Sequence, residues 1–348
     1  MNIHKVFAIG LMLLFLLLLS ACGGGGGGGE TTSQAPAQPV GVTSGNAEDI
    51  ARTAISASIA AIDVGENSSS LLSVKKIDSD YQAKKISLTS FALKQLKWLD
   101  STPVSTNNVT YNLVSVISGS VTTDCDNPGA GTATISFVDT DNSSDISTGD
   151  SLSITFSSCL ISDDQMMLDG GMGMVVSAAS GDLDVDEAWS LAISFTFNNF
   201  LVSSGGIAES LAGDFVFAVS TTDRVVFSGS VSGSKLAYSY ADSSLEELTD
   251  FNLGFTSNDA TSSYTYDIAG TVAATSINGS FQVTTPTTLF GLGLDYPSSG
   301  VMKIKGANNT SMTVEAMSDA TTVVLNIDST GDGIVDDMIT TTWDALGV

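Results

Sequence analysis

The chain has 348 residues with 38 acidic and 12 basic side chains, a formal net charge of -26. That balance excludes proteins that work by neutralising phosphate, so no nucleic-acid partner is expected. Apolar residues make up 43%, enough for the core of one large or two ordinary domains. The only histidine is His4, in a segment expected to be removed, and without imidazole the mature chain has no Ser-His-Asp or Cys-His nucleophile.

Residues 1–21 have the form of a secretory signal: the start Met-Asn-Ile-His-Lys, an apolar run from Val6 to Leu19, and the small residues Ser20 and Ala21. Leu19-Ser20-Ala21-Cys22 resembles the lipobox of bacterial lipoproteins. The resemblance implies that Cys22 is acylated, palmitate included, and that the chain meets a membrane through it. Each buried methylene of such chains adds about 0.8 kcal/mol, so several chains anchor stably. Gly23 stands where many inner-membrane lipoproteins carry aspartate, so the expected location is the outer membrane. Residues 22–45 contain the run Gly23 to Gly29, then Pro36 and Pro39. They are expected to form a flexible tether, because glycine maximises the entropy lost on ordering.

Residues 46–100 follow a helical pattern. Ile50, Ala54, Ile59 and Ile62 recur at helix-like spacing after Asn46, a candidate N-cap, and Tyr81, Leu88, Phe91, Leu96 and Leu99 repeat the pattern. This region is basic, with seven Lys or Arg between Arg52 and Lys97. Trp98 to Asp223 then holds seventeen acidic residues and no basic one, so the two regions either attract or simply expose solvated faces.

From residue 101 to 348 the period changes to two. Leu152-Ile154-Phe156, Leu191-Ile193-Phe195-Phe197, Phe215-Phe217-Val219, Tyr264-Tyr266-Ile268 and Val323-Leu325-Ile327 place large apolar residues at every second position, with Ser and Thr prominent between them. Turn clusters such as Ser232-Gly233 and Asn278-Gly279 separate the runs. The fold class is therefore mainly β: a dozen or more short strands in an antiparallel meander, preceded by a small helical region. An apolar-x-Gly-x-apolar motif recurs around Gly119, Gly170, Gly213, Gly229, Gly270 and Gly279. Strand glycines permit sharp bends, which favours a curved sheet, half-barrel or barrel. A transmembrane barrel is disfavoured by 7% aromatics and by strands that read as short.

Cys125 and Cys159 are the remaining cysteines. In an oxidising compartment they pair, and neither CxxC spacing nor a histidine supports a catalytic or metal-binding role. Between them Asp139, Asp141, Ser143, Asp145, Ser147 and Asp150 place oxygens on a tight segment, with Ile146 at the eighth position. The pattern resembles the calcium loop of EF-hand and dockerin modules, which implies Ca2+ as a bound ion. It departs from that loop at Ser144, where glycine is usual, at the short Asp150, and in its flanking strands. A second loop, Asp328, Thr330, Asp332, Gly333 and Asp336, resembles the calcium hairpin of integrin-type propellers. Asp, Asn, Ser and Gly also dominate ordinary turns.

Gly149-Asp150-Ser151-Leu152 spells the signature of GDSL lipases, but a serine there has no histidine base. Thirty aspartates and eight glutamates single out no catalytic carboxylate pair, so a carboxylate-based hydrolase is the weakest alternative. The reading is a non-enzymatic, outer-membrane-anchored binding or structural module stabilised by calcium. The alternative is a carrier of a lipid or other hydrophobic ligand, by resemblance to periplasmic lipoprotein-carrier folds. A cavity lined by Phe195, Phe197, Phe215 and Phe217 favours the carrier; a filled interior favours the module.

Overall fold

The computed structural model describes residues 38–69, 104–106, 109–111, 118–125, 130–141, 147–161, 166–182, 186–204, 207–240, 244–293 and 295–347. Cys22, the signal segment, most of the expected tether and the second helical stretch lie outside the described residues, as do Ser143 and Asp145.

Among the described residues one helix, α1 (Ala47–Ser69), precedes the strands. Ala47, Ile50, Ala51, Ala54 and Ile55 are buried, the spacing of one apolar helical stripe. Glu48 and Asp49 lie in its first turn, where negative charge suits the helix dipole. Asn46 holds the cap position, since its carbonyl accepts the Ile50 N–H at 3.0 Å. Its side chain turns backwards, however, accepting the Thr43 N–H and donating to the Gly41 carbonyl. Asn46 thus fixes the approach to the helix by bonding the turn before it.

β1 (Val104–Thr106) and β2 (Val109–Tyr111) pair with each other. All other described strands form one fourteen-stranded antiparallel sheet in sequence order. They are β3 (Ser118–Asp124), β4 (Thr132–Val138), β5 (Ser151–Ile161), β6 (Met166–Ser180), β7 (Trp189–Ser204), β8 (Ile207–Thr221), β9 (Val226–Ser239) and β10 (Leu245–Asn258). β11 (Ser263–Ala274), β12 (Gly279–Leu292), β13 (Ser299–Lys305), β14 (Ser311–Ala316), β15 (Thr322–Asp328) and β16 (Asp337–Thr342) complete it. β3 and β16 are its two ends, so the sheet is open and the closed-barrel option falls.

The strands are longer than the sequence suggests. β6 and β8 have 15 residues and β7 has 16. Ser232 and Gly233, read as a turn, lie inside β9, whereas Asn278, at a φ of 49°, does make the β11–β12 turn. The strands continue because bulges absorb their irregularities. Register shifts fall between Phe156 and Cys159, between Asp169 and Gly171, and between Phe197 and Phe200. A bulge adds one residue to one strand and bends it locally. Two of the recurrent glycines, Gly170 and Gly213, serve this purpose. Gly170 has a φ of 82°, and a Cβ there would lie 2.1 Å from the Asn199 carbonyl oxygen; at Gly213, with a φ of 121°, it would lie 1.9 Å from that of Lys235.

The chain divides into two compact units. The first comprises residues 1–60, 225–228 and 245–348, with Val283, Leu289, Ile304, Val314, Leu325 and Ile327 fully buried. Half-buried and buried residues alternate along β14 and β15 with the expected two-residue period. Extended chain before α1 straps onto this unit: Val40 N–H donates to Ser280, Ala307 N–H to Val40, and Val42 N–H to the Thr310 hydroxyl. The second unit comprises residues 61–224 and 229–244 and buries Phe195, Phe200, Phe215 and Phe217 among Ile154, Leu168 and Leu191. Among the described residues no helix is long and apolar enough to cross a membrane.

Candidate metal centre

β4 ends at Val138 and β5 begins at Ser151, and the segment joining them carries the first predicted loop. Its organiser is Asp150, whose residue is 7% exposed. One carboxylate oxygen accepts the Thr140 N–H at 2.9 Å and the Ser147 hydroxyl at 3.1 Å; the other accepts the Ser147 N–H at 2.8 Å. Asp150 therefore draws the outgoing and returning arms together. The returning arm is fixed to β6, because Gly149 N–H donates to the Val176 carbonyl and Val176 N–H to that of Asp150, both at 2.8 Å. Gly149, at a φ of 101°, lets the backbone reverse beside Thr140.

This closure brings Asp139, Asp141 and Asp150 together, each with a carboxylate oxygen within 4.8 Å of the others. Two oxygens on one Ca2+ at 2.3–2.6 Å stand at most about 5 Å apart, so the three could hold such a cation. Asp139 is half-buried and Asp141 exposed, which leaves a route for water and ions. A carboxylate oxygen has two lone pairs, so the Asp150 oxygen that accepts only the Ser147 N–H keeps acceptor capacity. The sequence missed this double duty: Asp150 shapes the loop as well as facing its centre.

The second loop is built differently. Asp328 is buried and accepts N–H groups from Gly331 at 2.7 Å and Gly333 at 2.9 Å, with the Thr330 hydroxyl at 3.5 Å. One Asp336 oxygen accepts the Ser329 hydroxyl and the N–H groups of Ser329 and Thr330, and those bonds, the hydroxyl foremost, hold its carboxyl below the usual range. Asp332 accepts the Ile334 N–H. Thr330 donates to Asp328 in this arrangement, and the carboxylates cap the loop's own backbone. Among the described residues the three-carboxylate cluster is the one at Asp139, Asp141 and Asp150.

Cys125 and Cys159 form a disulfide with their Cα atoms 5.5 Å apart, enclosing the first loop. Phe195 and Phe215 stack with centroids 4.8 Å apart, and Phe197 lies 6.0 Å from Phe215. All four phenylalanines considered for a carrier cavity are at most 5% exposed. Sequence reasoning missed one buried polar pair: the Ser257 hydroxyl and one Asp259 oxygen have no hydrogen-bond partner, and burial raises the Asp259 carboxyl above its ordinary range. No pattern in the sequence marks these two residues. The chain matches no family model, no curated protein and no solved structure.

Proposed function

We propose that this chain is an outer-membrane lipoprotein, anchored through Cys22, whose β-body is a non-enzymatic binding or structural module stabilised by Ca2+ at Asp139, Asp141 and Asp150. The observation that carries the calcium part is the convergence of three carboxylates on a loop pinned to β6. A cation there offsets mutual repulsion that the fold otherwise sustains. The stacked phenylalanines favour the structural module over the carrier, because rings that pack on one another leave their faces unavailable to a guest. The open sheet favours attachment by the lipid over insertion of the strands, since unpaired edges are not tolerated in hydrocarbon.

The anchor is tested by Cys22→Ala in the full chain, read by palmitate labelling and membrane fractionation. Loss of label together with release into the soluble fraction is expected. An unlabelled protein that stays in the outer membrane would instead mean that its strands insert.

A further inference from the structure

Among the described residues the three most exposed large apolar side chains are Ile334 at 67%, Met338 at 61% and Val335 at 55%. All three belong to one hairpin, that joining β15 to β16. Scattered apolar side chains at a surface are ordinary; the three most exposed on one tip are not.

The position of that hairpin in the first unit identifies its partner. Asp337, at its base, accepts a hydrogen bond from the Ser44 side chain. Gly331, in its loop, lies against the β13–β14 turn, where a Cβ would stand 2.4 Å from the Asn308 carbonyl oxygen. The same turn receives the strap, through Ala307 N–H to Val40 at 2.8 Å and Val42 N–H to the Thr310 hydroxyl at 2.9 Å. Strap, turn and hairpin are thus contiguous at one end of the strands. The chain leaves that end towards Cys22.

Fifteen residues, Gly23 to Ala37, separate Cys22 from Gln38. Fully extended, fifteen residues reach at most about 50 Å. An anchor at Cys22 therefore holds this end of the body within that distance of the bilayer.

We propose that the β15–β16 hairpin is a membrane-contacting tip, with Ile334, Val335 and Met338 entering the interfacial layer of the bilayer that holds Cys22. The inference rests on the lipoprotein reading. Its chemistry is that of an apolar loop rimmed by acids: Asp332, Asp336 and Asp337 surround the tip and no Lys or Arg lies between Lys305 and Val348. Neutral headgroups are the matching surface, and anionic lipid opposes contact.

The test uses the full lipidated chain in vesicles of phosphatidylcholine and phosphatidylethanolamine, its disulfide left intact. An environment-sensitive fluorophore is attached at Ile334→Cys or Met338→Cys, and for comparison at Met317→Cys in the β14–β15 turn at the other end of the strands. Blue-shifted emission, quenching by spin-labelled lipid and loss of iodide accessibility are expected at 334 and 338 and not at 317, with the shift reduced by added phosphatidylglycerol. A chain that does not float with the vesicles refutes the anchor and this inference with it. A chain that floats with all three probes equally wet refutes the inference alone.

Discussion

Replacing Asp141 by asparagine separates a metal centre from a polar turn. At 4.8 Å, the outer limit of the cluster, two carboxylates repel by about 1 kcal/mol even at the dielectric of water. Three pairs amount to about 3 kcal/mol, and Asp141→Asn removes two of them. With a Kd on the order of 0.1–1 mM, about 5 mM Ca2+ stabilises the native state by about 1–2 kcal/mol. That corresponds to a rise in Tm of about 2–8 °C. The wild type should therefore melt higher in calcium than in EDTA. Asp141→Asn should melt higher than the wild type in EDTA, because repulsion is relieved, and should gain little from calcium. Differential scanning calorimetry at matched ionic strength reads both. Matching matters, since 11 basic against 38 acidic side chains remain once residues 1–21 are removed, and screening alone stabilises such a body. Wild-type melting curves that coincide in Ca2+ and EDTA would refute the reasoning, as would an equal calcium response in Asp141→Asn.

Three further outcomes follow from the geometry. Thiol trapping without reductant should find Cys125 and Cys159 blocked, and replacing both by alanine should lower stability by about 3–4 kcal/mol from loop closure across 34 residues; free thiols in the exported protein would contradict the pairing. Gly213→Ala should cost about 2–4 kcal/mol, because its Cβ meets the Lys235 carbonyl at a positive φ, whereas Gly173→Ala, facing only the rotatable Thr196 hydroxyl at 3.1 Å, should cost far less; equal denaturation midpoints would refute the role given to the bulge. Asp328→Ala leaves the Gly331 and Gly333 N–H groups without their acceptor and should cost about 1–3 kcal/mol. That loss should be the same in Ca2+ and in EDTA, and a calcium-dependent loss would make the second loop a metal site after all.

Much of the fold was legible because alternation is a local property. Leu191-Ile193-Phe195-Phe197 and Val323-Leu325-Ile327 recur at every second position, and all seven side chains are buried. Strand length was not legible, for a physical reason. Ser232-Gly233 has turn composition but continues as β9, and the Ser158 and Asn199 bulges, at φ near 46°, interrupt the period without ending the strand. The glycine motif pointed to bending; which glycines faced a carbonyl across the ladder depended on register, which the sequence of one strand does not contain.

The two acidic loops show where sequence stops specifying a site. Both offer aspartates at alternate positions, yet a carboxylate ligates or caps according to which donors reach it first. In the second loop Gly331 and Gly333, at φ of 76° and 87°, turn their N–H groups onto Asp328, and among the described residues no three carboxylates converge there. In the first loop Ser144 stands at the position where glycine is usual, and the cluster forms instead through Asp150, pinned by β6. The departure from the familiar pattern therefore does not weaken the candidate. The ordering that glycine normally permits within the loop is supplied here by a neighbouring strand, through the paired bonds of Gly149 and Asp150 with Val176.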